Sequence, residues 1–157
     1  MTVEYVAYIA LRVSDLERAR RFYCDLLGFR VFSEFAHDGP SPSAQLLGLD
    51  SVPVRALFVE RDGTRIELQH LDLPADRALP RARPQLGLCH FGLRVSDLDG
   101  LVAALEDAGA TLLEASRFEH AELGSRVAVV EDPDGTRIEL IDMPGDPRAP
   151  LGRPVSP

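Results

Sequence analysis

Leu11-Arg12-Val13-Ser14-Asp15-Leu16 recurs as Leu93-Arg94-Val95-Ser96-Asp97-Leu98, an offset of 82. Asp62-Gly63-Thr64-Arg65-Ile66-Glu67-Leu68 recurs as Asp134-Gly135-Thr136-Arg137-Ile138-Glu139-Leu140, an offset of 72. Two identical strings in the same order within 157 residues mark a tandem duplication, so the fold must be one that a small module builds twice. The smaller second offset means that the first copy carries a net ten additional residues between the strings. They are placed in Asp38 to Pro53, where three prolines and two glycines read as a loop.

Each copy reads as β-α-β-β-β. The first strands are expected at about 5–13 and 89–95, with Ile9, Leu11 and Val13, then Phe91, Leu93 and Val95, apolar on one face. A helix follows each. Ser14 with Glu17 has the spacing of a capping box, and Ser96 with Asp99 repeats it. Leu16, Ala19, Phe22, Tyr23, Leu26 and Leu27 form one apolar stripe, and Gly28 and Gly109 stand where left-handed C-terminal caps belong. Three further strands are expected at about 29–36, 54–60 and 64–70, and at about 111–118, 124–131 and 136–142. Residues 4–71 are then the first module, 72–86 a Pro- and Arg-bearing linker, 87–143 the second module and 144–157 a Pro-rich tail.

Composition narrows the chemistry. All 17 basic residues are Arg, so no lysine Schiff base can form. A net charge of -8 argues against a nucleic-acid partner. No apolar run is long enough to span a membrane, and Met1-Thr2-Val3-Glu4 does not open like a secretory signal. Cys24 and Cys89 make no disulfide framework, and Cys89 is expected to pack inertly under the helix. A cytoplasmic protein is the expectation.

Strand alternation sorts the side chains. If Ile9, Leu11 and Val13 pack on the helix, the other face carries Tyr8, Ala10 and Arg12, and in the second copy His90, Gly92 and Arg94. On the last strands Arg65, Glu67 and Gln69, and Arg137, Glu139 and Ile141, share that face. One imidazole and two carboxylates from three strands suit a divalent ion. They equally suit Arg–Glu pairing across the sheet, with His90 a satisfied interior residue. Arg12 and Arg94 are candidates for an anionic substrate group or for charge balance. His37 and His120 end the second strands, as a mobile acid or base or as solvated strand ends.

Val-Ser-Asp-Leu-Glu followed by Phe22-Tyr23-Cys24-Asp25-Leu26-Leu27-Gly28-Phe29 resembles the opening of a vicinal oxygen chelate module. This is the superfamily of glyoxalases, bleomycin-resistance proteins and extradiol dioxygenases. Asp-Pro-Asp-Gly-Thr-Arg-Ile-Glu-Leu resembles its closing hairpin, and the resemblance spans about 4–143. It implies an α+β fold of two tandem βαβββ modules whose mixed sheets curl into a cup-shaped site, helices outside. It implies metal ligands Glu67, His90 and Glu139, with Glu67 and Glu139 serving as ligand and base. Tyr8 stands where many members have a first His. The implied cofactor is a divalent ion (Zn, Ni, Co, Mn or Fe); from their positions on the strands, Tyr8, Arg12, Arg94, His37 and His120 are the candidate substrate contacts.

The reading is a metal-dependent lyase or isomerase of the glyoxalase I or methylmalonyl-CoA epimerase kind, moving a proton on a small carbonyl substrate. The alternatives are a metal-free small-molecule or antibiotic-binding resistance protein and an extradiol-type dioxygenase. Exposed sheet edges lead to an expected homodimer.

Overall fold

A computed structural model describes residues 3–40, 45–46, 48, 50–73, 87–121 and 124–148. All but the first two residues of the expected linker, the end of the expected tail and part of the Asp38–Pro53 loop lie outside these. The chain divides into two compact units, Met1–Pro84 and Gln85–Pro157.

In the first unit, β1 (Ile9–Arg12) leads into α1 (Leu16–Arg20), which continues as a wider π-helical stretch over Arg21–Leu26. Then come β2 (Arg30–His37), β3 (Val54–Arg61) and β4 (Thr64–Leu71). The sheet order is β1-β4-β3-β2, with β1 parallel to β4 and the other pairs antiparallel. This is a mixed sheet that does not close on itself. The helix buries Ala19, Phe22, Tyr23 and Leu27 against Leu57, Val59, Ile66 and Leu68. Each such fully buried side chain contributes about 1.5–3 kcal/mol.

The cap lies one residue later than the expected Ser14. Asp15 accepts a hydrogen bond from the Arg18 N–H at 2.9 Å, while the Ser14 hydroxyl accepts one from the Arg18 side chain at 2.7 Å. Gly28 has φ +71, and a Cβ there would collide with the Arg61 guanidinium that caps the Leu27 carbonyl. Asp62 and Gly63 both have positive φ, which makes the two-residue turn between β3 and β4.

The second unit repeats the plan with β5 (Phe91–Val95), α2 (Leu98–Asp107), β6 (Thr111–Leu112), β7 (Phe118–His120), β8 (Ser125–Glu131) and β9 (Arg137–Asp142). The order is β5-β9-β8-β6, with β7 also pairing β8, and β5 is parallel to β9. Asp97, not Ser96, caps α2 by accepting from the Gly100 N–H at 3.0 Å. Val102 and Leu105 on α2, together with Val130, Ile138 and Leu140, are buried in this unit's core.

The strand expected over 111–118 is broken. A 3-10 turn at Glu114–Ser116 separates β6 from β7. There the Ser116 hydroxyl donates to the Leu113 carbonyl at 2.6 Å and accepts from the Val129 N–H at 2.7 Å, doing for β8 what a ladder residue would have done.

The first strands are shorter than expected because their only partners begin late. β4 starts at Thr64 and pairs Ile9 with Ile66, so Tyr5 and Val6 run past its start and are exposed. Likewise β9 starts at Arg137, and Cys89 precedes β5. Cys89 is therefore exposed rather than packed under the helix, which corrects the alternation argument at that residue. Cys24 is half-buried, and burial pushes its thiol pKa up. No described helix is long and apolar enough to cross a membrane.

Candidate functional site

In the second unit the parallel ladder sets Gly92 opposite Glu139, and β8 sets Val129 opposite Glu139. His90 immediately precedes β5, and its side chain reaches the Glu139 side. Its Nε2 lies 3.6 Å from Glu139 Oε2, and the two side chains are 45% and 32% exposed. That separation is too long for a good hydrogen bond. It is close to the edge of a tetrahedron whose donors sit about 2.1 Å from a central ion, roughly 3.4 Å.

Gly92 lies beside the pair. A Cβ there would approach Glu139 Oε2 and Ile141 Cδ1, each at 3.6 Å, and the glycine itself is exposed. On the other side of the ring, His90 Nδ1 meets Cys89 Sγ at 3.2 Å. In the tautomer with its proton on Nδ1, Nε2 would be available as a ligand on the Glu139 side.

The first unit has the same register with different contents. Ala10 stands opposite Glu67, and Phe58 stands opposite it on the other side. Tyr8 occupies the place that His90 fills in the second copy, and its ring packs edge-on against Phe58 with centroids 5.4 Å apart. Phe32 packs on Phe58 at 6.1 Å, and the Arg65 guanidinium lies over Phe32 at 5.2 Å. Glu67 is only 6% exposed, and its Oε1 accepts from Gln69 Nε2 at 3.1 Å. One copy thus surrounds its carboxylate with aromatics and an amide. The other leaves its carboxylate facing an imidazole.

The expected competition from arginine goes elsewhere: Arg137 pairs with Glu131 at 3.1 Å, and Arg65 sits on an aromatic face. Arg94 donates through Nη2 to the Met143 carbonyl at 2.7 Å, while its Nε and Nη1 are buried without a partner among the described residues. Arg12 is exposed on β1, opposite Gln69. His37 ends β2 with Nε2 at 2.9 Å from the Pro40 carbonyl and its ring stacked on Phe35. His120 ends β7 with its ring edge-on to Phe118, centroids 4.4 Å apart. His70 Nδ1 lies 3.2 Å from the Val13 carbonyl, on the helix side. Gly92, which the strand alternation placed on the same face as His90, lies beside Glu139.

Residues 5–140 match the profile of the Glyoxalase/Bleomycin resistance protein/Dioxygenase superfamily. The chain belongs to this superfamily. Among similar proteins, a probable lactoylglutathione lyase of Synechocystis is 26% identical over 138 residues, covering 87% of this chain and 94% of the relative. An uncharacterised Escherichia coli protein, YaeR, is 30% identical over 141 residues, covering 89% and 97%. The crystal structure of a glyoxalase family protein from Bacillus cereus aligns with a TM-score of 0.74 at 21% identity, covering 92% of this chain and 97% of that one.

Members of the superfamily typically bind a divalent metal. Among the described residues no three His, Cys, Asp or Glu side chains gather closely enough to hold one. The donor chemistry of the second unit nevertheless fits half of such a site. His90 and Glu139 offer one borderline nitrogen and one hard oxygen at a suitable separation beside an open glycine.

Proposed function

We propose that His90 and Glu139 hold a divalent ion, and that this chain is a lyase or isomerase moving a proton on a small carbonyl substrate. Glu67 and Glu139 are the carboxylates proposed for catalysis, each within its own unit. The observation that carries the reading is the 3.6 Å spacing of the His90 and Glu139 donors beside Gly92. The similarity to a probable lactoylglutathione lyase supports the reaction class.

A bound ion would supply polarisation of the substrate carbonyl oxygen, which acidifies the neighbouring C–H. The rest falls to the chain. His90 and Glu139 fix the donor geometry. In the first unit the Gln69 amide orients the Glu67 carboxylate by holding one of its oxygens. Neither the single imidazole nor the carboxylates select among Zn, Ni, Co, Mn and Fe(II).

The test is proton exchange followed by NMR in D₂O, on 2-hydroxy, 2-keto and acyl-thioester substrates and on the adduct of methylglyoxal with glutathione. Each of the five ions is added in turn. Ion-dependent exchange at the carbon beside the carbonyl is expected. No exchange with any ion, and no ion bound, would remove the proposal.

One observation favours a second reading, a metal-free binding protein: Tyr8, Phe32 and Phe58 form an aromatic cluster whose Phe58 stands opposite the buried Glu67. A planar cationic antibiotic binding equally well with and without EDTA would support it. A dioxygenase ranks below both, because Tyr8 leaves one imidazole at the two paired positions. The proposal includes a homodimer, to be checked by sedimentation.

A further inference from the structure

Two parallel rows of side chains cross the site face of the second unit. One runs Gly92, Glu139, Val129; the other runs Arg94, Ile141, Val127, Phe118. The rows are two residues apart along each strand, so all these side chains share one face. On that face half-buried Val129 and Val127 lie between Glu139 and Phe118, beside Arg94 and Ile141, the latter 7% exposed. Phe118 ends the strip 53% exposed, with its ring fixed edge-on by His120.

A single exposed phenylalanine is ordinary. This one differs because Val127 and Val129, both half-exposed, lie between it and the donor pair on the same face. The first copy supplies the contrast. Its corresponding row is Arg12, Gln69, Ala56, Phe35, with Phe35 likewise set against His37. There a polar amide and a methyl group replace Ile141 and Val127, so the aromatic end is kept without the apolar path to it.

We propose that the site is specific for carbonyl substrates carrying an apolar arm, which lies across Val129 and Val127 and ends on Phe118. The inference rests on the reading of His90 and Glu139 as the reactive end. β7 lies two strand spacings from β9, about 10 Å, and the rows are offset by about 7 Å along the strand. The separation of roughly 12 Å between Glu139 and Phe118 backbones suits an arm the size of a hexyl or phenylethyl group. A methyl substituent would leave the strip uncovered. Phe118 is therefore a specificity-determining residue.

The test uses 2-hydroxyoctanoate, 4-phenyl-2-hydroxybutanoate and lactate as probes, measured by calorimetry with and without saturating Co²⁺. Wild-type protein is expected to bind the two long probes at least about tenfold more tightly than lactate, through the extra buried methylenes. Phe118→Ala is expected to erase most of that preference without changing Co²⁺ affinity, and Phe118→Leu to keep it. Equal binding of all three probes, binding of none, or a preference untouched in Phe118→Ala would overturn the inference. The two proposals fail separately. A Phe118-dependent preference in a protein whose Co²⁺ affinity ignores His90→Ala would sink the metal assignment alone.

Discussion

Glu67 and Glu139 occupy the same register position in the two copies, opposite Ala10 and Gly92. The first accepts a hydrogen bond from Gln69, whereas the second faces an imidazole nitrogen 3.6 Å away. The duplication has kept both carboxylates and changed what surrounds them. Glu139 is the proposed ligand in the second unit, and Glu67 the proposed catalytic carboxylate of the first.

Glu67→Gln separates those roles. The amide keeps the size of the side chain, so the thermal midpoint is expected to move by only a few degrees. Turnover is expected to fall about 10²- to 10⁴-fold. Divalent-ion affinity, measured in parallel, is expected to hold. A matching loss of affinity would make Glu67 a ligand instead.

Asp99 links α2 to the strands below it. It accepts from Arg126 at 2.7 Å and from Arg117 at 3.3 Å, and Arg126 also reaches Asp142 at 2.7 Å. The hydrogen bonds from Arg126 and then Arg117 hold its carboxyl below the ordinary 3.8. A carboxyl whose folded pKa lies below its unfolded pKa adds stability above the unfolded value, and that stability is lost as pH falls through the folded one. Wild-type melting is expected to decline below about pH 4. Asp99→Asn should melt lower than wild type at neutral pH and converge with it in acid. High salt should shrink the difference, because the groups are exposed. Circular dichroism melts across pH check this.

Ser116→Ala removes the hydroxyl that serves both Leu113 and Val129 at the break between β6 and β7. It strands a half-buried N–H, so urea unfolding is expected to show a loss of about 1–2 kcal/mol. A loss near zero would mean that water replaces the hydroxyl without cost.

Much of this architecture was legible in the sequence because side-chain period and turn chemistry are local. The Asp62-Gly63 turn, the glycine caps and the alternation on β4 and β9 follow from neighbours in the chain. The misses all depended on partners distant in sequence. Asp15 and Asp97 cap their helices although Ser14 and Ser96 are equally good capping types; which one acts depends on how the incoming strand delivers the chain. The break at 114–116 was faintly marked by Glu114-Ala115-Ser116, a run without β-branched residues, but its cause is the Ser116 hydroxyl reaching Val129. Cys89 was misplaced because alternation was extended past the point where β9 begins. At the site, the sequence named His90 and Glu139. It could not show that Glu139 leans over Gly92, because that is a matter of rotamer.

The central claim, that His90 and Glu139 form the metal-ligating pair, is tested most directly by calorimetric titration of Zn²⁺ and Co²⁺ into wild type, His90→Ala and Glu139→Gln. Wild type is expected to bind one ion per chain, and each variant about 100-fold or more weakly, at unchanged melting temperature in the absence of metal. Equal affinity in all three proteins would contradict it.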